Sequence, residues 1–230
     1  MYSEPPATTL RKFLIVVAFS IAFAYIESSV VVYLRGLLHP AGFDFPINSI
    51  SLTDPITRPL LLTEIGREAA TIVLILTCAM LAGVNRQQAF AYFLTIFAIW
   101  DIFYYVWLRV LIMWPTSIMD WDILFLIPTT WASAVLYPVI IAVTLLLFAM
   151  VLLYRDSVGR PVRAGFFDWL GFIGAGVIIV YSFCTPGPYV TEPDYAAHFH
   201  WPLFAAGYAV ALLFFAKCLL GSRRAVRPVL

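Results

Sequence analysis

Glu64, Arg67, Glu68 and Thr71 stand at i, i+3, i+4 and i+7, which places two carboxylates and a guanidinium on one face of a helix. Asp101, Tyr104, Tyr105, Leu108 and Arg109 trace a similar stripe in a second apolar run, and Glu27 and Arg35 share one side of a third. A charged group at bilayer depth costs on the order of 3 kcal/mol on insertion scales, so such groups normally face protein or water and mark function. Together these stripes offer four carboxylates (Glu27, Glu64, Glu68 and Asp101) against three arginines (Arg35, Arg67 and Arg109). The chemistry available is recognition of an anionic group by arginine, with an unpaired carboxylate carrying a proton or serving as general acid or base. The competing reading is a network that only fixes helix packing. An Arg–carboxylate fork satisfies buried charges, although desolvation can exceed the Coulomb gain.

Two smaller constellations lie in connecting segments. His198 and His200 are two residues apart, so in extended chain both imidazoles point the same way. With Asp194 they form a candidate metal site, and the alternative is a pair of interfacial histidines beside Trp201. Asp120 and Asp122 flank Trp121, and a divalent cation or plain solvation would account for them equally well. No histidine falls inside an apolar run, which excludes a haem held by two intramembrane histidines. Cys78, Cys184 and Cys218 form neither a CxxC pair nor a CxxCH haem-attachment motif, and no nucleotide-binding motif, GxSxG elbow or HExxH is present. The cofactor is therefore left unknown.

The elements that must position these residues are membrane spans. Hydrophobic residues make up 63% of the 230 and charged residues 12%, with a mean hydropathy of +0.93. A soluble domain is about half apolar and about one quarter charged. Runs long enough to cross a bilayer, which takes roughly 20 residues, predict spans at 13–34, 59–83, 89–113, 132–154, 167–184 and 201–220. The expected fold is all-α, a polytopic membrane helix bundle forming a single transmembrane domain. Ala22-Phe23-Ala24 resembles a signal-peptidase site, but the apolar run continues to Leu34, as a span does.

Arginine and lysine favour the cytoplasmic side. With both termini cytoplasmic, Arg11, Lys12, Arg86, Arg155, Arg160, Arg163, Lys217, Arg223, Arg224 and Arg227 all fall inside, ten of the fourteen basic residues. The charged stripes then sit in the outer half of the membrane or near its midplane. The outer connections are rich in proline and aromatic residues, and Ile123–Pro128 is too short to span, so it is expected to dip into the interface or pack over helix ends. Gly171, Gly174, Ala175 and Gly176 read as close-packing positions, and Asp168 as a helix cap. A net charge of +1 and the lack of a basic stripe argue against nucleic acid as a partner.

The segments TEIGREAATIV, WDIFYYVWLR and DILFLIP resemble a pattern found in multi-pass membrane proteins of bacteria. That resemblance implies a bacterial inner-membrane location and carries no activity or site residue with it. Three functions remain open at this point. The leading expectation is an outward-facing intramembrane polar pocket that binds or translocates a small polar or anionic ligand, or protons. The alternatives are a membrane-embedded enzyme acting on a lipid or lipid-linked substrate, and an accessory subunit whose charge network is purely structural. The bilayer is the certain partner, and a homo-oligomer or membrane complex fits the small size and the absence of an internal repeat.

Overall fold

The computed structural model describes residues 5–40, 42–47 and 57–224, with side chains as far as 221. Arg223, Arg224 and Arg227, part of the orientation argument, lie outside the described side chains. The elements in order are α1 (Pro6–Leu38), α2 (Thr57–Ala82), α3 (Arg86–Ile112), β1 (Trp121–Phe125), β2 (Trp131–Ala134), α4 (Leu136–Ser157), α5 (Phe166–Cys184) and α6 (Trp201–Arg224). Short 3-10 turns at Gly187–Tyr189 and Tyr195–His198 join the last two. All six helices are long and apolar enough to cross a membrane. The chain is a polytopic helix bundle, and both ends of the helical path leave from the same end of it.

Why α3 becomes the centre is legible in its side chains. Ala91, Ala98, Tyr92, Ile96 and Leu108 are fully buried, on faces that meet α1, α2 and α4. Ala24 on α1, Ala79 on α2, and Ala142 and Ala149 on α4 are at most 1% exposed. In lipid there is no hydrophobic drive between helices, so small residues that let backbones approach supply the dispersion contacts. A leucine at Ala91 or Ala149 would overpack these seams by about 1–3 kcal/mol. Polar groups add fixed points: the Trp107 indole donates to the Ile21 carbonyl (3.0 Å) and the Ser28 hydroxyl to the Tyr104 carbonyl (3.1 Å), both from α1 to α3.

The terminal end of the bundle is tied by Asp156. Its buried carboxylate accepts from the Asn85 amide (3.2 Å) and the Gln88 amide (2.8 Å), while Gln87 donates to the Leu152 carbonyl (3.0 Å). Asn85 also caps α3 by accepting from the Gln88 N–H. Gly159, at φ +71, turns the chain off α4 in the left-handed conformation that glycine takes without a steric penalty.

At the other end β1 and β2 pair antiparallel, with Asp122 opposite Ser133 and Phe125 opposite Trp131. The apolar segment around Ile123 thus lies over helix ends as part of a hairpin. Because Trp131–Ala134 joins this hairpin, α4 begins at Leu136, later than the position 132 expected from hydropathy. Gly187 packs against the Thr130 carbonyl so closely that a Cβ there would collide with it. Helices α5 and α6 pack on each other where Gly171 faces the Phe214 ring and Gly207 approaches Ala175. Gly174 and Gly176 face open space, so only part of the glycine-rich stretch is an interhelical seam. Asp168 accepts from the Gly165 N–H (2.8 Å) at the start of α5 and pairs with Lys217 on α6 (2.6 Å).

Candidate functional site

Beneath the hairpin, α1, α2 and α3 bring their charged faces together. Arg67 on α2 forms ion pairs with Glu27 on α1 and with Glu64 one turn before it, the latter through two guanidinium nitrogens. Glu68, 5% exposed, turns to the hairpin, and both its oxygens accept from the Leu126 N–H at 3.0 and 2.9 Å. The helix spacing that puts Glu64, Arg67 and Glu68 on one face therefore serves two partners, a neighbouring helix and a backbone donor above.

Arg35 makes a second group. Its guanidinium donates to Asp122 on β1 at 2.9 Å, and both side chains are almost wholly buried. The rings of Phe43 and Trp114 lie over the same guanidinium at 3.9 and 3.8 Å. Such flat stacking suits arginine in particular, because its charge is spread over a plane. The Tyr104 hydroxyl reaches the other Asp122 oxygen at 3.4 Å, and Tyr105 packs against Tyr104 and Trp114. Burial pushes the Asp122 carboxyl up to about 6, against the downward pull of Arg35, the Ile123 N–H and the Tyr104 hydroxyl.

Asp120 and Asp122 do not share a cation site. Asp120 caps the preceding turn, accepting from the Thr116 N–H and hydroxyl and from the Ser117 N–H. Burial is the largest single influence and raises its carboxyl, but those donors and the charge of Arg109 together hold it below the usual range. Arg109 also stands apart. It is exposed at the end of α3 and donates to the carbonyls of Met113 and Pro115.

A cavity of about 1260 Å³ runs from this charged cluster along the space between α1–α4 and the α5–α6 pair. Glu27, Arg35, Glu64, Arg67, Glu68, Asp101, Tyr104 and Tyr105 line its hairpin end, joined by Asp122. Eight of the nine candidate residues predicted from the sequence thus come together, and Arg109 does not. The balance shifts accordingly, from four carboxylates and three arginines to five carboxylates and two arginines. Below them the wall is apolar, with Leu94, Phe97, Leu145, Phe148, Ile179 and Phe215, and Arg86 and Arg163 line the terminal end.

Among the described cavity-lining residues, Asp101 Oδ2, Trp100 Nε1, Trp131 Nε1 and Arg35 Nη1 are buried without a hydrogen-bond partner, and Glu27 Oε2 is held by its ion pair with Arg67. Phe125 connects the two indoles, with ring centroids 6.3 Å from Trp100 and 5.5 Å from Trp131. The sequence marks Asp101 and, beside it near the bilayer midplane, Trp100, whereas Trp131 reads as interfacial. Only the place of Trp131 on the hairpin against Phe125 sets it apart, and that pairing has no local signal in the chain.

The histidine candidate changes its membership. His198 lies 3.5 Å from Asp194, and with Glu192 these three present ligand atoms within 4.8 Å of one another. The His198 ring stacks on Tyr189 at 3.5 Å. His200 is exposed at the start of α6 and is not part of the group. Two of the three are exposed acids, a common surface arrangement with no metal.

No family model, curated protein or solved structure matches the chain. The functional reading therefore rests on the geometry alone.

Proposed function

We propose that this protein holds a long-chain amphiphile, a lipid or lipid-linked compound, in the cavity between α1–α4 and the α5–α6 pair. The observation that carries the reading is the cavity's two-part lining, polar at the hairpin end and apolar for the rest of its depth. From Asp101 to Arg86 the wall of α3 rises about 22 Å at 1.5 Å per residue. A single leaflet's hydrocarbon is about 15 Å deep, half of a roughly 30 Å core. A chain seated here would extend past the bilayer midplane. With the basic residues placed in the cytoplasm, its polar end lies toward the outer face of a bacterial inner membrane.

A carrier for small anions or protons fits this arrangement less well. Arg67 is engaged by Glu27 and Glu64, and Arg35 by Asp122, so neither guanidinium is unpaired for an anion. Among the described lining residues, the midsection carries no charged group between the hairpin cluster and Arg86. The ion pairs instead act as scaffold, binding α1, α2 and the hairpin around α3 and keeping the mouth of the cavity in shape.

Gly176 provides the test, because it lines the cavity and a Cβ there meets nothing, whereas Gly174 faces open space without lining it. Lipid extracts of the detergent-purified wild type, Gly176→Trp and Gly174→Trp would be compared by mass spectrometry. The expected result is a retained long-chain compound, enriched over bulk phospholipid, that falls at least tenfold (roughly the 1.4 kcal/mol scale of one lost contact set) in Gly176→Trp alone. Equal lipid content in all three proteins refutes the proposal.

A further inference from the structure

We infer that a long chain enters and leaves the cavity sideways from the bilayer, between α3 and α5, at the contact of Phe90 with Trp169. The inference rests on the amphiphile reading above and adds the route by which the ligand reaches its site. Its basis is how the two flanks of the cavity are closed. On one flank, side chains bridge α4 and α6 at three levels. The Tyr137 and Phe204 rings lie 4.9 Å apart, the Thr144 and Tyr208 hydroxyls 2.7 Å, and the Phe148 and Phe215 rings 3.5 Å. From Tyr137 to Phe148 these contacts follow α4 for about 16 Å at 1.5 Å per residue, so that flank is shut along about half of a roughly 30 Å hydrocarbon core.

The other flank changes along its length. In the hairpin half α2 supplies the wall, with lining residues from Thr57 to Thr71 on one helical face. Past Thr71 no described residue of α2 lines the cavity, although the helix continues to Ala82. There the lining passes from Phe90 and Leu94 on α3 to Trp169 and Phe172 on α5. Among the described residues, the ring contact that joins these two helices is Phe90 with Trp169, edge-on with centroids 5.2 Å apart. Both rings are exposed, and a rotamer change of either one breaks the contact. No hydrogen bond reinforces it, as the hydroxyl pair does on the shut flank. Inside, Trp169, Phe172, Gly176, Ile179 and Phe183 recur at helical spacing, so a chain admitted here meets one continuous apolar face of α5 up to the hairpin.

The probe is a bilayer-soluble thiol reagent, N-dodecylmaleimide, applied to proteoliposomes of the full-length chain with Cys78, Cys184 and Cys218 changed to serine. Gly176→Cys sets the target inside the cavity, and Gly174→Cys, which faces open space without lining it, reports the reagent's rate in open lipid. Trp169→Ala and Phe90→Ala are each expected to speed modification at position 176 about tenfold and to leave that at 174 within about twofold, which also shows that α5 keeps its place. Tyr208→Phe, on the shut flank, should leave both rates unchanged. An unchanged rate at 176 in both alanine variants overturns the inference. Equal acceleration by Tyr208→Phe does so too, because it moves the route to α4 and α6. Equal acceleration toward a water-soluble sulfonated maleimide also overturns it, because entry is then from an aqueous mouth beside Arg86. In each of these cases the long-chain reagent still reaches 176 and the amphiphile proposal stands. If N-ethylmaleimide modifies 176 and N-dodecylmaleimide does so in no variant, the cavity takes no long chain, and that proposal fails as well.

Discussion

Arg35 and Asp122 form a buried pair in which only one member can shed its charge, and this asymmetry can be measured. Arginine keeps its proton at every accessible pH, whereas a buried carboxyl escapes its desolvation cost by taking one up. In Asp122→Asn the Arg35 guanidinium stays charged and buried, with the Phe43 and Trp114 faces as its remaining support. Removing one member of a buried pair costs about 3–5 kcal/mol. For a chain of this size that corresponds to a Tm lower by about 6–20 °C. In Arg35→Met the strongest downward pull on Asp122 is gone, and its carboxyl, already at about 6, rises further and is protonated near neutrality. The loss there is smaller, and it depends on pH. A carboxyl raised above its unfolded value of about 3.9 contributes stability that is full below that value and lost as pH rises through the folded value. The Arg35→Met protein should therefore gain Tm as pH falls from 8 to 5, while Asp122→Asn should not follow that trend. Thermal unfolding in detergent across this range measures both. Equal losses in the two variants with no pH dependence would show that Asp122 does not titrate against Arg35, and the reasoning would fail.

Other outcomes follow from particular contacts. Gly187→Ala drives a methyl into the Thr130 carbonyl, and as an overpacked site should cost about 1–3 kcal/mol, seen as a lower Tm; an unchanged Tm would place the hairpin elsewhere. Gly171→Leu, set against the Phe214 ring, should separate α5 from α6 and lower Tm by several degrees, and unaltered stability would contradict that seam. Cysteines introduced at Asp194 and Arg160 in a cysteine-free background should react oppositely with an impermeant reagent in intact cells. Labelling is expected at 194 and protection at 160, and the reverse pattern inverts the proposed orientation.

The spans and the charged faces were legible in the chain because both are local. Hydropathy over a window of about 20 residues marks a helix, and the i, i+3, i+4 spacing of Glu64, Arg67 and Glu68 assigns them one face. Their convergence with Glu27 and Asp101 follows from the cost of leaving charge in lipid. What the sequence hid were partners brought in by the hairpin. Asp122 reads as a loop acid beside Asp120, and nothing nearby marks it as the residue that reaches Arg35 on a helix 87 positions away. Arg109 failed the expectation for the opposite reason. It continues the Asp101 stripe but sits in the last turn of α3, where free carbonyls of its own chain lie closer than any carboxylate. Asp156 was overlooked because its partners are neutral amides, which give no charge pattern to find.

These corrections bear on function through the count of charges. A cluster of four carboxylates and three arginines is close to balanced and suggests an anion site. Exchanging Arg109 for Asp122 leaves five and two, and each remaining arginine is already held. The arginines then explain the architecture: Arg67 joins α2 to α1, and Arg35 fastens the hairpin to α1. Asp101 is left with an oxygen that no scaffold contact uses, and the indole nitrogens of Trp100 and Trp131 are unpartnered as well. The ion pairs lie at the hairpin end and the Phe90–Trp169 contact toward the other, so scaffold and entry are separable in mutants. Breaking Arg67 from Glu27 should lower Tm whatever ligand is present. Altering Trp169 to Ala should change how fast a chain enters more than whether the protein folds.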